Sequence, residues 1–195
     1  MWSANNMRVS LRAARGFTYL ELVIVIIIIS TLLYFAVDRL LRLEVEAERA
    51  SMQQVIGIMQ SAMALAMAEH IAKGDIPGLK KYVNTNPMNL LAQQPENYHG
   101  AHKTEPDSLP GGSWYFHTPS KSLIYRVRNQ EYFVTASNRH DRAELKILPV
   151  YDDNNRNGRF DAGDTLKGLR LQAVETYQWL SEPLDPKQFQ RAQAQ

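Results

Sequence analysis

Residues 15–37 read RGFTYLELVIVIIIISTLLYFAV, and this stretch decides the fold of the N-terminal part. Glu21 is the only charged residue between Phe17 and Val37. Those twenty-one residues would rise by about 31 Å as a helix, close to the hydrocarbon thickness of a bilayer. Because four consecutive isoleucines leave no polar face for water, the pattern favours a membrane-spanning helix over a buried helix of a soluble protein.

The basic residues at the N-terminus predict the orientation of this span. The chain carries 22 lysines and arginines against 20 acids, a net charge of +2, and three of the arginines precede Phe17 without any acid. Positive flanks stay on the cytoplasmic side, so the rest of the chain should lie across the membrane. The nearly neutral remainder predicts no general attraction to nucleic acid. The absence of cysteine excludes a disulfide framework.

The junction before the apolar run is a candidate cleavage site. A secretory signal is cut after its apolar stretch at small residues, and Ser30–Tyr34 offers a poor site of that kind. The basic leader, Gly16, Phe17, Thr18, Glu21 and the aliphatic run together resemble type IV prepilins and type II secretion pseudopilins. The resemblance covers about the first forty residues. It implies that prepilin peptidase cuts after Gly16 and methylates the new N-terminal Phe17.

Glu21 is the residue whose presence needs a reason, because a charge at mid-bilayer costs about 2.5–3.5 kcal/mol. Cleavage after Gly16 would create an amine at Phe17, about 6 Å from Glu21 along a helix. The resemblance implies that this carboxylate pairs with the amine of a neighbouring subunit and fixes the stagger of packed helices. The alternative is that Glu21 reaches the headgroups at the end of the span.

The helical pattern continues past the membrane stretch. Apolar residues recur at spacings of three, four or seven, with polar residues between them, and they include Leu41, Val45, Met52, Val55 and Met59. Lys73 and Gly74 are typical of a helix end, which predicts one helix over residues 17–73. Its second half should carry a globular domain on its apolar stripe. A free-standing coiled coil is the weaker alternative, because Gly57 and the alanines interrupt a strict heptad.

The remainder of the chain predicts an α+β protein in which the second half of the long helix packs on a small antiparallel sheet. We predict a cleaved leader (1–16), a membrane or filament-core helix (17–37), its amphipathic continuation (38–74), an irregular segment with short helices (75–112), a sheet region (113–180) and a polar tail (181–195). Period-two alternation predicts five strands, at Ser113–His117, Leu123–Arg128, Glu131–Ser137, Ala143–Tyr151 and Leu169–Ala173.

The sheet region contains a loop at 152–164 whose twelve residues from Asp153 onward, which we call the Asp/Asn loop, have the spacing of a calcium-binding loop. Side-chain oxygens fall at Asp153, Asn155, Asn157, Asp161 and Asp164, and the Arg159 carbonyl would supply one further ligand. Gly158 provides the sharp bend, and such hard oxygens suit Ca²⁺. The last position is aspartate where such loops carry glutamate, and strands flank the loop. The pattern predicts either a structural Ca²⁺ site or an Asx-rich turn.

The function that the resemblance implies is that of a building block. The chain would be a minor pilin or pseudopilin in the bacterial inner membrane, with its C-terminal domain in the periplasm, and later part of a type IV pilus or type II secretion pseudopilus. Its partners would be other subunits, prepilin peptidase, the inner-membrane assembly platform and membrane lipid, without nucleic acid. No catalytic motif occurs, so we predict no enzyme. The alternative is a signal-anchored periplasmic binding domain that does not polymerise.

Overall fold

The computed structural model describes residues 18–106 and 108–185. Within these residues the chain forms one long helix and seven strands, so it is an α+β protein. The elements are α1 (Tyr19–Ala72), β1 (Tyr98–His102), β2 (Ser113–His117), β3 (Ser122–Arg126), β4 (Phe133–Thr135), β5 (Arg142–Asp152), β6 (Thr165–Ala173) and β7 (Tyr177–Trp179). The chain divides into two compact units, one up to Leu43 and one from Glu44 onwards.

Helix α1 ends as its sequence predicts. Gly74 adopts a φ of +69°, a conformation that glycine reaches without steric cost. Its N–H donates to the Ile71 carbonyl at 3.0 Å, and the N–H of Asp75 donates to the His70 carbonyl at 2.9 Å. This pair of bonds is a Schellman motif, which satisfies carbonyls that the end of a helix leaves without partners. The predicted start at Phe17 lies outside the described residues.

The main sheet has five strands in the order β1-β2-β3-β5-β6. The pairs β2–β3, β3–β5 and β5–β6 are antiparallel, but β1 lies parallel to β2. The sheet is therefore mixed, whereas the alternation predicted an antiparallel one. The segment 98–102 was expected to be irregular, and it forms β1 because its backbone completes the edge of β2.

The predicted strands are found, with one change of partner. The bounds of β2 match the prediction, and those of β3 and β5 differ from it by one or two residues. Strand β6 ends where predicted, at Ala173, but begins four residues earlier, at Thr165. The expected strand at 131–137 was wrong as part of the main sheet. A 3₁₀ turn at Gln130–Tyr132 interrupts it, and the short β4 that follows pairs with β7 in a separate two-stranded ribbon. Of the predicted tail, residues 186–195 lie outside the described residues.

Two clusters of buried apolar side chains form the core of the unit that begins at Glu44. The larger one includes residues of α1 and of the strands: Val45, Met52, Val55, Met59, Trp114, Phe116, Leu123, Tyr125, Phe133, Leu145 and Trp179. The smaller one contains Met63, Leu79, Ile147, Leu166 and Leu169. The methionines at 52, 59 and 63 fill core space, as expected of a flexible apolar side chain.

A buried carboxylate lies beside the larger cluster. Glu48 of α1 is 8% exposed. Its carboxylate accepts hydrogen bonds from the Tyr125 hydroxyl at 3.0 Å and the Arg128 N–H at 2.7 Å. It also accepts from the N–H and the side-chain amide of Asn129 at 3.0 and 2.6 Å. Four donors thus replace the water that burial removed, which is the condition under which a buried charge is tolerated. Burial raises the pKa of Tyr125, and the charge and hydrogen bond of Glu48 raise it further.

Candidate functional site

The described part of the N-terminal motif is the first turn of α1. Thr18 precedes the helix, and its hydroxyl accepts a hydrogen bond from the N–H of Glu21 at 3.2 Å. The Thr18 carbonyl accepts from the N–H of Leu22 at 3.0 Å. Thr18 is therefore the N-cap, and Glu21 is an acid in the first turn, where the helix dipole favours negative charge. The predicted cleavage residues Gly16 and Phe17 lie outside the described residues.

The side chains that follow Glu21 are exposed. Leu22 to Ile29 are between 39 and 59% exposed, and Leu32 to Phe35 between 58 and 74%. Among the described residues α1 is the one helix that is long and apolar enough to cross a membrane. Such a surface is unfavourable in water, at about 25 cal/mol for each Å² of apolar area. The first half of α1 therefore requires an apolar environment that the chain itself does not supply within the described residues.

The Asp/Asn loop connects β5 to β6, so it is flanked by strands as predicted. At its beginning the carboxylate of Asp153 accepts from the N–H groups of Asn157 and Gly158, at 3.2 and 2.7 Å. Gly158 adopts a φ of +73°, which explains glycine at this position. The side-chain oxygens of Asn155 and Asn157 also accept from main-chain N–H groups, at 3.0 and 2.7 Å.

Two further carboxylates hold the second half of the Asp/Asn loop. Asp161 accepts from the side-chain amides of Asn155 and Asn157, at 2.9 and 2.6 Å, and from the N–H of Gly163 at 2.8 Å. The bond from Asn155, with those from Gly163 and Asn157, holds the pKa of Asp161 below its usual value. Asp164 is buried and accepts from the N–H groups of Asn154 and Asp161. Its carboxylate therefore closes the base of the loop.

The donor set of the Asp/Asn loop suits a hard cation only in part. The described residues contain no group of three or more His, Cys, Asp or Glu side chains placed to hold a metal ion. A cation here would therefore need amide oxygens of Asn155 and Asn157 beside the carboxylates of Asp153 and Asp161, with the Arg159 carbonyl as a further donor. A carboxylate has about four lone-pair sites, so two accepted N–H bonds leave Asp153 with capacity for a ligand bond. For their oxygens to face such a cation, the side-chain amides of Asn155 and Asn157, which donate to Asp161, would have to rotate.

An apolar contact anchors the same loop. The Phe160 ring packs against the Tyr151 ring at a centroid distance of 5.1 Å. Phe160 is half-buried against the smaller core cluster, and the Lys80 ammonium lies 5.4 Å from the centre of its ring. The loop is thus held by hydrogen bonds and by one aromatic side chain.

Comparisons of the chain with protein-family models, with curated proteins and with solved structures each find no match. The site is therefore interpreted from its own residues. Reasoning from the sequence missed the capping role of Thr18, although the pattern Thr18-x-x-Glu21 before an apolar run is a known helix-start motif. It also missed Glu48, because a single acid on an amphipathic helix looks like a solvated residue until its partners are known.

Proposed function

We propose that the chain is a structural subunit, a minor pilin or pseudopilin, of a type IV pilus or a type II secretion pseudopilus, and that it is not an enzyme. Prepilin peptidase would cut after Gly16 and methylate Phe17. The observation that carries the proposal is a long apolar helix surface, exposed throughout, with one carboxylate in its first turn. Packing many such helices side by side would cover the surface and give Glu21 a partner.

Glu21 distinguishes assembly from simple anchoring. A carboxylate that only caps its own helix contributes about 0.3–1 kcal/mol and needs no second chain. A carboxylate that pairs with the Phe17 amine of a neighbour in a low-dielectric bundle interacts more strongly, and losing one partner leaves an uncompensated buried charge. We propose the second role, because a cap alone could be supplied by Thr18, whose hydroxyl already accepts the N–H of Glu21.

The proposal extends to domain organisation and location. Residues 17–37 would span the inner membrane with the leader in the cytoplasm, and the domain from the second half of α1 onward would lie in the periplasm. We propose that this second half packs on the main sheet, which is supported by the shared core cluster and by the bonds of Glu48 to residues 125–129. Partners would be other subunits, prepilin peptidase, the assembly platform and lipid.

We also propose that the Asp/Asn loop holds a structural Ca²⁺. The ligands would be Asp153, Asn155, Asn157, Asp161 and the Arg159 carbonyl. Asp164 is the further proposed ligand: each of its oxygens accepts one main-chain N–H group, as those of Asp153 do, so capacity for a ligand bond remains. The support is the number of oxygens in the loop, and the competing interpretation is an Asx-rich turn without metal.

The competing function is that of a signal-anchored periplasmic binding domain that never assembles. It is favoured by the compact unit from Glu44 onwards, which has its own core clusters. Mass spectrometry of the protein from its host membrane separates the two functions. Loss of the first sixteen residues with a methylated Phe17 amine supports the subunit; an intact leader overturns it.

A second experiment tests the role of Glu21 itself. Glu21→Ala should leave membrane insertion intact and lower incorporation into filaments at least about tenfold, equivalent to roughly 1.4 kcal/mol. Thr18→Ala is the matched control, because it removes the cap but keeps the carboxylate. If the two variants reduced incorporation equally, Glu21 would act only at the start of its own helix.

A further inference from the structure

A groove of about 610 Å³ lies in the unit that begins at Glu44. Its walls come from the segment that follows the 3₁₀ turn Ile76–Tyr82, from β1, and from the β2–β3 connection. We call it the amide groove and define it by Asn84, Asn86, Asn89, Gln94, Tyr98 and Thr118. Its volume is within the range of small-molecule sites, about 300–1,000 Å³.

Uncharged polar side chains are numerous around the amide groove, while apolar atoms supply most of its exposed surface. Four of its side chains are amides. Asn86 and Gln94 each use part of their capacity on bonds within the protein, and the amide of Asn84 has both a donor and an acceptor for a ligand. The Thr118 hydroxyl offers the same pair, whereas the Thr85 hydroxyl donates to the Tyr82 carbonyl at 2.7 Å and offers only an acceptor. The described residues that line it include one cation, Lys121, and no carboxylate. A ligand that matches this lining is neutral and has groups that both donate and accept hydrogen bonds.

The floor of the amide groove is fixed and its rim is free. Asn86 is 7% exposed; its amide donates to the Tyr98 hydroxyl at 2.6 Å, and its oxygen accepts from the Met88 N–H at 3.1 Å. At the rim, the side chains of Asn84 and Thr118 are exposed and make no hydrogen bond within residues 18–106 and 108–185. The floor is thus preorganised, and the rim keeps hydrogen-bonding capacity for a ligand.

We propose that the amide groove binds a neutral oligosaccharide. Sugar hydroxyls each donate and accept, which matches amides and threonines, and the C–H faces of a sugar ring can pack on the half-buried ring of Tyr98 and on Phe116. This binding would serve a filament subunit and an anchored domain alike, so it does not depend on the function proposed above.

An extended peptide added to the edge of β1 is the rival occupant, and the backbone argues against it. The pairing of β1 with β2 is irregular between Tyr98 and Ala101, and Gly100 adopts a φ of +85°. A bulge of this kind bends the strand and interrupts the ladder that an incoming strand would need.

The test is a titration of the full chain, in a detergent without a sugar headgroup, with cellotriose, maltotriose and chitotriose. Binding is followed by ligand-observed saturation-transfer NMR and isothermal calorimetry. The double variant Thr118→Val/Asn89→Ala removes one hydroxyl and one amide from exposed positions, so the fold should persist. We expect at least one trisaccharide to bind saturably, and the variant to weaken it about five- to thirtyfold, the loss of two neutral hydrogen bonds.

The control variant is Thr176→Val/Gln178→Ala, which makes equivalent changes at exposed positions outside the groove. It should bind the trisaccharide within twofold of the unchanged chain. The proposal is overturned if none of the three sugars binds saturably, if both double variants weaken binding equally, or if a capped neutral pentapeptide binds and the sugars do not.

Discussion

Glu48→Ala removes the carboxylate that accepts four hydrogen bonds from residues 125–129. Hydrogen bonds to a charged group contribute about 1.5–3 kcal/mol each, but Arg128 is exposed and Asn129 half-buried, so water can replace part of what they lose. The Tyr125 hydroxyl cannot recover in this way, because Tyr125 is 2% exposed. We expect the free energy of unfolding to fall by about 3–5 kcal/mol, as when one partner is removed from a buried charged pair.

The assay is urea unfolding of the full chain in detergent micelles, followed by tryptophan fluorescence, because Trp114 and Trp179 both lie in the larger core cluster. An unchanged slope with a lower midpoint would identify a loss of stability rather than a change of the unfolded state. Tyr125→Phe removes one of the four bonds and should cost about 1–2 kcal/mol.

Glu46→Ala is the matched control for Glu48→Ala. It removes an acid from the same helix whose side chain is 63% exposed and whose ion pair with Arg49 is 3.9 Å long. Such a surface pair is worth about 0–1 kcal/mol, so the midpoint should hardly move. If Glu48→Ala lost less than about 1 kcal/mol, or no more than Glu46→Ala, the carboxylate would not hold residues 125–129 and the reasoning would be refuted.

Four further predictions concern the unit from Glu44 onwards. A Cβ at Gly111 would lie 2.6 Å from a main-chain atom of the facing segment, so Gly111→Ala should cost about 1–3 kcal/mol in urea unfolding. A Cβ at Gly57 would meet open space, so Gly57→Ala should raise the free energy of unfolding by about 0.5–1 kcal/mol. If both substitutions changed the free energy of unfolding equally, the close approach described at Gly111 would be wrong. Burial alone would raise the pKa of Asp141, but the hydrogen bond and charge of Arg142 hold that pKa below its usual value. The ionised Asp141 carboxylate therefore stabilises the fold above pH about 4, and this stabilisation is lost as the pH falls further. Since its side chain is 39% exposed, Asp141→Asn should cost only about 0.5–1 kcal/mol at pH 7, and a deficit that persisted unchanged at pH 2 would refute the coupling. Adding Ca²⁺ to EDTA-treated protein should raise the free energy of unfolding by about 2.7 kcal/mol at a hundredfold excess over Kd, and an unmoved melting temperature would leave the Asp/Asn loop as a turn without metal.

The elements with a strong local pattern were predictable. The end of α1 follows from Gly74, because only glycine takes the left-handed conformation there without strain. The alternation at 113–117 gave the bounds of β2, and the buried methionines followed from the spacing of apolar residues on the helix. In each case the information lies within about one turn or one strand of the residue concerned.

The elements that depend on distant partners were not predictable. Residues 98–102 (YHGAH) have little apolar alternation, and they become β1 only because β2 offers a parallel edge. Strand β4 pairs with β7, more than forty residues later, through three register positions such as Phe133 with Trp179. The role of Glu48 likewise appears only when residues eighty positions away are brought beside it. Long-range pairing of this kind leaves no trace in local periodicity.

The division of the chain between Leu43 and Glu44 determines where the second compact unit can be separated from the apolar first half of α1. Val45, only 5% exposed, belongs to the larger cluster, and Glu48 follows three positions later. An N-terminal truncation can therefore remove residues up to Leu43, but it should keep Val45 and everything after it. A fragment that began after Glu48 would lose the core side chain of Val45 and the four hydrogen bonds of the Glu48 carboxylate. If such a fragment failed to fold, the result would not bear on the stability of the intact protein.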